Sequence, residues 1–125
     1  MVKSIITTLI AIALLVAGAV FENFFIQKQF SELHDDFTSL YTIVREETAV
    51  KTDVLTVQKN WLDKKRYLHA FIPHTEIKEI DLWLSESITL VEDKEWHDAI
   101  SKVEVLIELS EQIPKTFKIS LENIF

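Results

Sequence analysis

The chain has 125 residues, with 13 basic and 20 acidic side chains for a formal net charge of −7, one glycine, two prolines and no cysteine. Once an apolar N-terminus is set aside, that length leaves one modest core, and the scarcity of glycine and proline argues against strand-and-turn architectures. The missing cysteines exclude disulfides, thiolate metal sites, thiol nucleophiles and a lipid-modified N-terminal cysteine, and an acidic chain is poorly suited to replacing phosphate counterions, so no nucleic-acid partner is expected.

From residue 5 to residue 21 every side chain is apolar or small except Thr7 and Thr8, whose hydroxyls can bond back to their own helix. Seventeen residues at about 1.5 Å each give roughly 26 Å, a little short of a hydrocarbon core of about 30 Å. Ser4 on one side and Phe21, Glu22, Asn23, Phe24, Phe25 and Ile26 on the other extend the span, with phenylalanines at interface depth. Residues 1–26 are therefore expected to form a single transmembrane anchor with an interfacial end. Lys3 and the α-amino group precede the span, whereas the twenty residues after Phe21 carry only Lys28 against Glu22, Glu32, Asp35 and Asp36. The positive-inside rule then places the N-terminus in the cytoplasm and the rest of the chain outside the cell membrane.

Two rival readings attach to the same segment. Ala17, Gly18 and Ala19 fit the small-x-small pattern of signal-peptidase cleavage, which would release a secreted helical protein; unbroken apolar character through Phe25 favours retention. Ala13 and Ala17 are spaced to let a second transmembrane helix approach closely.

Residues 27–125 read as a small antiparallel bundle of about four helices, all-α throughout. Phe30, Leu33, Phe37, Leu40 and Val44 step by three and four, and this helix is expected to continue from the membrane. Glu47 and Lys51 break the stripe, so a long coiled-coil stalk is not supported and a turn is expected around residues 48–53. Asp53 is the expected cap of a second helix with Val54, Val57, Trp61, Leu68 and Ile72 inward, ended by Pro73. Thr75 is the expected cap of a third helix, with Glu76 and Glu79 in its first turn and Ile77, Ile80, Leu84, Ile88 and Val91 inward. Asp93 is the expected cap of a fourth, carrying Trp96, Ala99, Ile100, Val103, Leu106, Ile107 and Ile113 and stopped by Pro114. Phe117, Leu121, Ile124 and Phe125 are then expected to fold back and seal the bundle.

Two resemblances bear on this reading. Residues 94–103, with Trp96 three residues before Ala99, look like the first helix of a tetratricopeptide repeat, although the second helix and any recurrence are absent. More widely, the apolar N-terminus ending near Glu22, the run Trp61, Leu62, Asp63, Lys64, Lys65, Arg66, then His74 with Glu76 and Ile77, the run Ile80 through Leu84, Trp96 with Ala99 and Ile100, and Ile113 with Pro114 together resemble a family of short Gram-positive bacterial proteins known as domain of unknown function 4363. That resemblance implies a membrane-anchored helical protein working beside an integral membrane protein, and it assigns no activity.

Few residues suggest chemistry. Trp61, Trp83 and Trp96 lie on or beside three apolar stripes and read as core anchors, with stacking on a ligand as the alternative. His69 and His74 bracket Pro73 and, with Glu76, form the best candidate metal set, yet their spacing matches no compact metal motif. Between Glu76 and Glu111 eleven acidic residues face only Lys78, Lys94 and Lys102, whereas just upstream Lys59, Lys64, Lys65 and Arg66 face only Asp63. Lys64, Lys65 and Arg66 are candidate contacts for a partner or for anionic lipid, with pairing to acidic neighbouring helices as the simpler use. No nucleophile stands near a base in a recognisable motif and no phosphate-cradling glycine loop is present, so an enzyme is not expected, nor a cofactor. The function expected is that of a non-catalytic accessory or scaffold subunit. Its partners would be the lipid bilayer and an integral membrane or envelope protein, the alternative being an extracytoplasmic ligand- or metal-sensing module.

Overall fold

A computed structural model describes residues 1–124 and contains four α-helices: α1 (Val2–Arg45), α2 (Lys51–Leu68), α3 (His74–Glu92) and α4 (Trp96–Ile124). The apolar N-terminus and the first bundle helix are one uninterrupted helix of 44 residues. Thr7 and Thr8 donate to the carbonyls of Lys3 and Ser4 at 2.8 Å, so their hydroxyls are satisfied inside the helix. Every buried residue of α1 lies at or after Ile26, in the three-and-four stripe Ile26, Phe30, Leu33, Phe37, Leu40 and Val44. Upstream of Asn23 the helix stands almost wholly free of the bundle. Among the described residues α1 is the one helix long and apolar enough to cross a membrane, and none of its most apolar eighteen-residue stretch is buried.

The lower half of α1 and the other three helices close a ring in which α1 and α3 each pack on α2 and α4. Cross-helix bonds fix the antiparallel register. Asn60 of α2 donates to Asp36 of α1 at 3.3 Å, His34 of α1 meets Glu111 of α4 at 2.9 Å, and Gln27 of α1 donates to the Pro114 carbonyl of α4 at 2.7 Å. Trp61, Phe30 and Phe37 are the largest side chains fully removed from solvent, surrounded by Leu33, Leu68, Ile77, Ile80, Leu84, Leu106 and Ile113. Burial of apolar surface on this scale is what holds the helices together, since most helical stability in proteins comes from packing of an apolar face.

The helix ends depart from the sequence expectations. Asp53 does not cap α2 from outside; it sits in the first turn, where its carboxylate accepts the Val50 N–H at 2.8 Å. Pro73, not Thr75, precedes α3, and α2 has already ended at Leu68. Asp93 belongs to the end of α3. Both α1 and α3 finish in a Schellman motif. After α1, Glu47 N–H reaches the Val44 carbonyl and Thr48 N–H the Ile43 carbonyl, both at 3.0 Å; after α3, Lys94 N–H reaches Val91 and Glu95 N–H reaches Leu90, at 3.1 and 2.8 Å. The left-handed residue each motif requires is Glu47 (φ 61°) and Lys94 (φ 57°), where glycine is the usual occupant.

Pro114 does not stop α4. The helix runs on to Ile124 with Pro114 inside it, buried, and with its carbonyl taken by Gln27. Phe117 packs against the core as expected, but residues 115–124 continue along α1 without folding back. Phe125, assigned to the same seal, lies outside the described residues.

Candidate functional site

Polar side chains of three helices converge around Trp61. On a helix turning about 100° per residue, Lys64 and Lys65 fall roughly 60° to one side and 40° to the other of the direction in which Trp61 points, and Arg66 falls some 140° away. Trp61 is fully buried. Lys64 accordingly reaches α1, donating to Gln29 at 2.9 Å and pairing with Glu32, while Lys65 reaches α3 and pairs with Asp81 at 2.7 Å. The second oxygen of Asp81 accepts the Trp61 indole N–H at 2.7 Å, which satisfies the one polar atom of that buried ring. Arg66 is exposed. Of the three basic residues singled out from the sequence, two tie α2 to its neighbours and one faces solvent.

Electrostatics follow from those contacts. The hydrogen bond from Lys64 holds the Glu32 carboxyl below its ordinary value, against a smaller opposing effect of burial and with help from the Lys64 and Lys28 charges. Glu76 is shifted the other way: burial pushes its carboxyl up, with Glu79 adding like-charge repulsion. Glu76 borders a groove lined by Phe71, Ile72, Ile113, Phe117 and Leu121, between the α2–α3 turn and the end of α4. No group of three or more His, Asp or Glu side chains comes together in a metal-holding arrangement among the described residues. His69 instead meets the Lys65 carbonyl at 3.1 Å through Nδ1, and His74 opens α3 with its side chain exposed.

The other two tryptophans are half-buried. Lys102 lies 4.5 Å over the ring of Trp83 and pairs with Glu86 at 3.3 Å, a cation–π contact that joins α3 to α4. The sequence reading missed this tie and the His34–Glu111 pair, because each partner comes from a different helix and no local spacing announces it.

The two ends of the bundle differ in character. Where α1 leaves, Phe21, Phe24, Tyr67, Phe71 and Ile124 are exposed, with Phe25 and Tyr67 in edge-to-face contact at 6.4 Å. Exposed Lys28, Arg66, Lys115 and Lys118 stand among them. At the opposite end Glu46, Glu47, Glu92, Asp93, Glu95 and Asp98 are exposed, and Lys51 meets Glu92 at 3.4 Å. An aromatic collar of mixed charge, in which Asp63 and Glu122 are exposed beside the four cations, thus surrounds the exit of the apolar helix, and a net acidic tip, with Arg45, Lys51 and Lys94 as its exposed cations, lies farthest from it.

The sequence profile described as Domain of unknown function (DUF4363) matches residues 20–124, which takes in the whole bundle and the end of the apolar run. The chain belongs to this family. No curated protein and no solved structure matches it. The DUF4363 region begins at residue 20, just after Val16 and Ala19, which already line the cleft with α4, so most of the free apolar helix lies upstream of the matched part.

Proposed function

We propose that this DUF4363 protein is a single-pass membrane protein whose bundle stands outside the cytoplasmic membrane and serves as a non-catalytic accessory subunit for an integral membrane or envelope partner. The observation that carries the reading is α1 itself: one half is a core member of the bundle, and the other half is apolar, long enough to span and unburied. Free apolar surface of that extent in water would drive association, whereas a bilayer accommodates it at no cost. The collar of Phe21, Phe24, Tyr67 and Phe71 with Lys28 and Arg66 has the composition of an interfacial belt. Lys3 and the α-amino group before the span support the cytoplasmic N-terminus.

A tether raises the local concentration of the bundle beside other membrane proteins, and the acidic tip offers a charged face for one of them. Native expression followed by detergent extraction and pull-down tests the role. Co-purification of a defined membrane or envelope protein, weakened by salt, is the expected result; recovery of the protein alone at every salt concentration would defeat it.

The secreted alternative has one favouring observation: Ala17, Gly18 and Ala19 stand before the family match and outside the core. Mass spectrometry of the mature N-terminus separates the two, with Met1 or Val2 expected for an anchor and Val20 for a released bundle.

A further inference from the structure

The end of α4 runs beyond the core and lies along the apolar half of α1. Gln27 is level with Pro114 through their hydrogen bond, and an open cleft between the two helices is lined by Val16, Ala19, Val20 and Asn23 on α1 and by Lys118, Leu121 and Glu122 on α4. Both helices rise about 1.5 Å per residue, so the antiparallel register that sets 114 beside 27 brings residues 118–124 level with about 17–23. A hydrocarbon core needs about twenty residues of helix. Counted from Ile5, twenty residues end at Phe24, and counted even from Val2 they end at Phe21. Either placement puts Val16, Ala19 and Val20 at hydrocarbon depth, and Leu121 with them.

We infer that the C-terminal two turns of α4 are themselves inserted in the outer leaflet, as a short second lipid contact in which phospholipid acyl chains fill the cleft between α1 and α4 and surround Ile119 and Ile124. The inference rests on the anchor reading of α1. It accounts for exposure that water would penalise: Ile119 is 47 % and Ile124 73 % exposed on a helix that has already left the core. Seven residues of helix descend about 10 Å, the depth at which amphipathic helices lie between headgroups and acyl chains. Lys115, Lys118 and Glu122 are exposed on the same stretch; long aliphatic stems let the ammonium groups reach the phosphates, and Glu122, which also lines the cleft, stands four residues after Lys118, within reach of its ammonium group. These lysines of α4 then join Lys28 and Arg66 in headgroup contact, and Lys64 and Lys65 keep their interhelical partners.

The absence of native cysteine makes the test direct. Leu14→Cys, Ile119→Cys and Glu46→Cys, each at an exposed position, are labelled with an environment-sensitive nitrobenzoxadiazole dye in the full chain and reconstituted into phosphatidylcholine–phosphatidylglycerol vesicles. Lipids bearing a nitroxide quencher at a shallow or a deep acyl carbon then report depth. The expected result is severalfold stronger quenching at position 119 than at 46 by the shallow quencher, with position 14 quenched best by the deep one. Quenching at 119 no greater than at 46, with 14 still quenched, overturns the inference and leaves the anchor standing. A blue-shifted dye at 119 that no lipid quencher reaches means a protein neighbour such as a second copy covers the site, and overturns it too. Loss of quenching at 14 as well overturns the anchor reading together with the inference.

Discussion

Asp81 shows how much one carboxylate can carry when both of its oxygens are used. It accepts from the buried Trp61 indole on one side and from Lys65 on the other. The two interactions are unequal. The lysine pair is about a third exposed on both sides, so water screens it and its loss should cost about 0–1 kcal/mol. The indole N–H has no access to water, and stranding it costs about 1–3 kcal/mol. Asp81→Ala is therefore expected to lower stability in urea denaturation clearly more than Lys65→Ala, and equal effects would mean that the indole finds another acceptor. Glu76 gives a pH signature. Burial raises its carboxyl although a place in the first turn of α3 would by itself lower it, so burial and the Glu79 charge win. The folded protein holds this proton to a higher pH than the unfolded chain. The stabilisation is fully present below the ordinary value of 4.5 and is lost as pH rises through the folded value. Glu76→Gln should accordingly gain on the unmodified protein as pH is raised from 4 toward neutrality, measured by denaturation midpoints; a gap that is flat with pH would refute the shift. Glu32 has the opposite sign, its stabilisation present above 4.5 and lost as pH falls.

At the scale of elements, the strain sits in two turns at the same end of the bundle. Glu47 and Lys94 occupy the left-handed position of their Schellman motifs, where a Cβ crowds the following carbonyl. Glu47→Gly and Lys94→Gly are each expected to stabilise by about 0.5–1 kcal/mol after the greater freedom of glycine in the unfolded chain is subtracted. Chemical denaturation of each variant checks this, and destabilisation by either would show that the native side chain makes contacts worth more than the strain. These same ends explain what could be read in the sequence. The stripe from Phe30 to Val44, and that from Ile77 to Val91 except where Ser87 is buried and Ile88 only half-buried, are legible because burial imposes the helical period on the chain itself. The terminations are not, because the chain places glycine at neither left-handed position and residue type alone does not tell whether Asp53, Thr75 or Asp93 precedes a helix, opens its first turn or ends the one before. Pro114 misled for a related reason. A proline inside a helix ordinarily costs about 3 kcal/mol or more, and the packing that buries Pro114 comes from other helices, as does the Gln27 amide on its carbonyl from 87 positions away in sequence. Trp61 as a core anchor was legible in the same stripe logic, whereas the division of Lys64, Lys65 and Arg66 among α1, α3 and solvent depends on which helices flank α2.

For the whole molecule, the separation of the core from the apolar half of α1 predicts that they can be parted. The buried part of α1 starts at Ile26; above it Phe25 meets Tyr67, and Val16, Ala19, Val20 and Asn23 line the open cleft with α4. A chain beginning at Val20 should retain cooperative unfolding, with stability within about 0.5 kcal/mol of the full chain, and lose stable sedimentation with vesicles. Circular dichroism melts and vesicle pelleting measure the two quantities, and collapse of the melt would mean that the apolar helix contributes to folding as well as to location.

The uninterrupted α1 has a mechanical consequence. Nothing between its apolar half and Arg45 acts as a hinge, because Gly18 is helical and no proline falls within it. In a bilayer the bundle therefore cannot swivel independently of its root. Transmembrane helices are tilted by about 20° on average, and the 22 residues from Phe24 to Arg45 extend about 33 Å. A tilt of that size swings the acidic tip sideways by about 11 Å. If α1 crosses a bilayer as proposed, the protein acts as a pointer, converting the tilt of the helix at its base into the position of a charged surface at its far end.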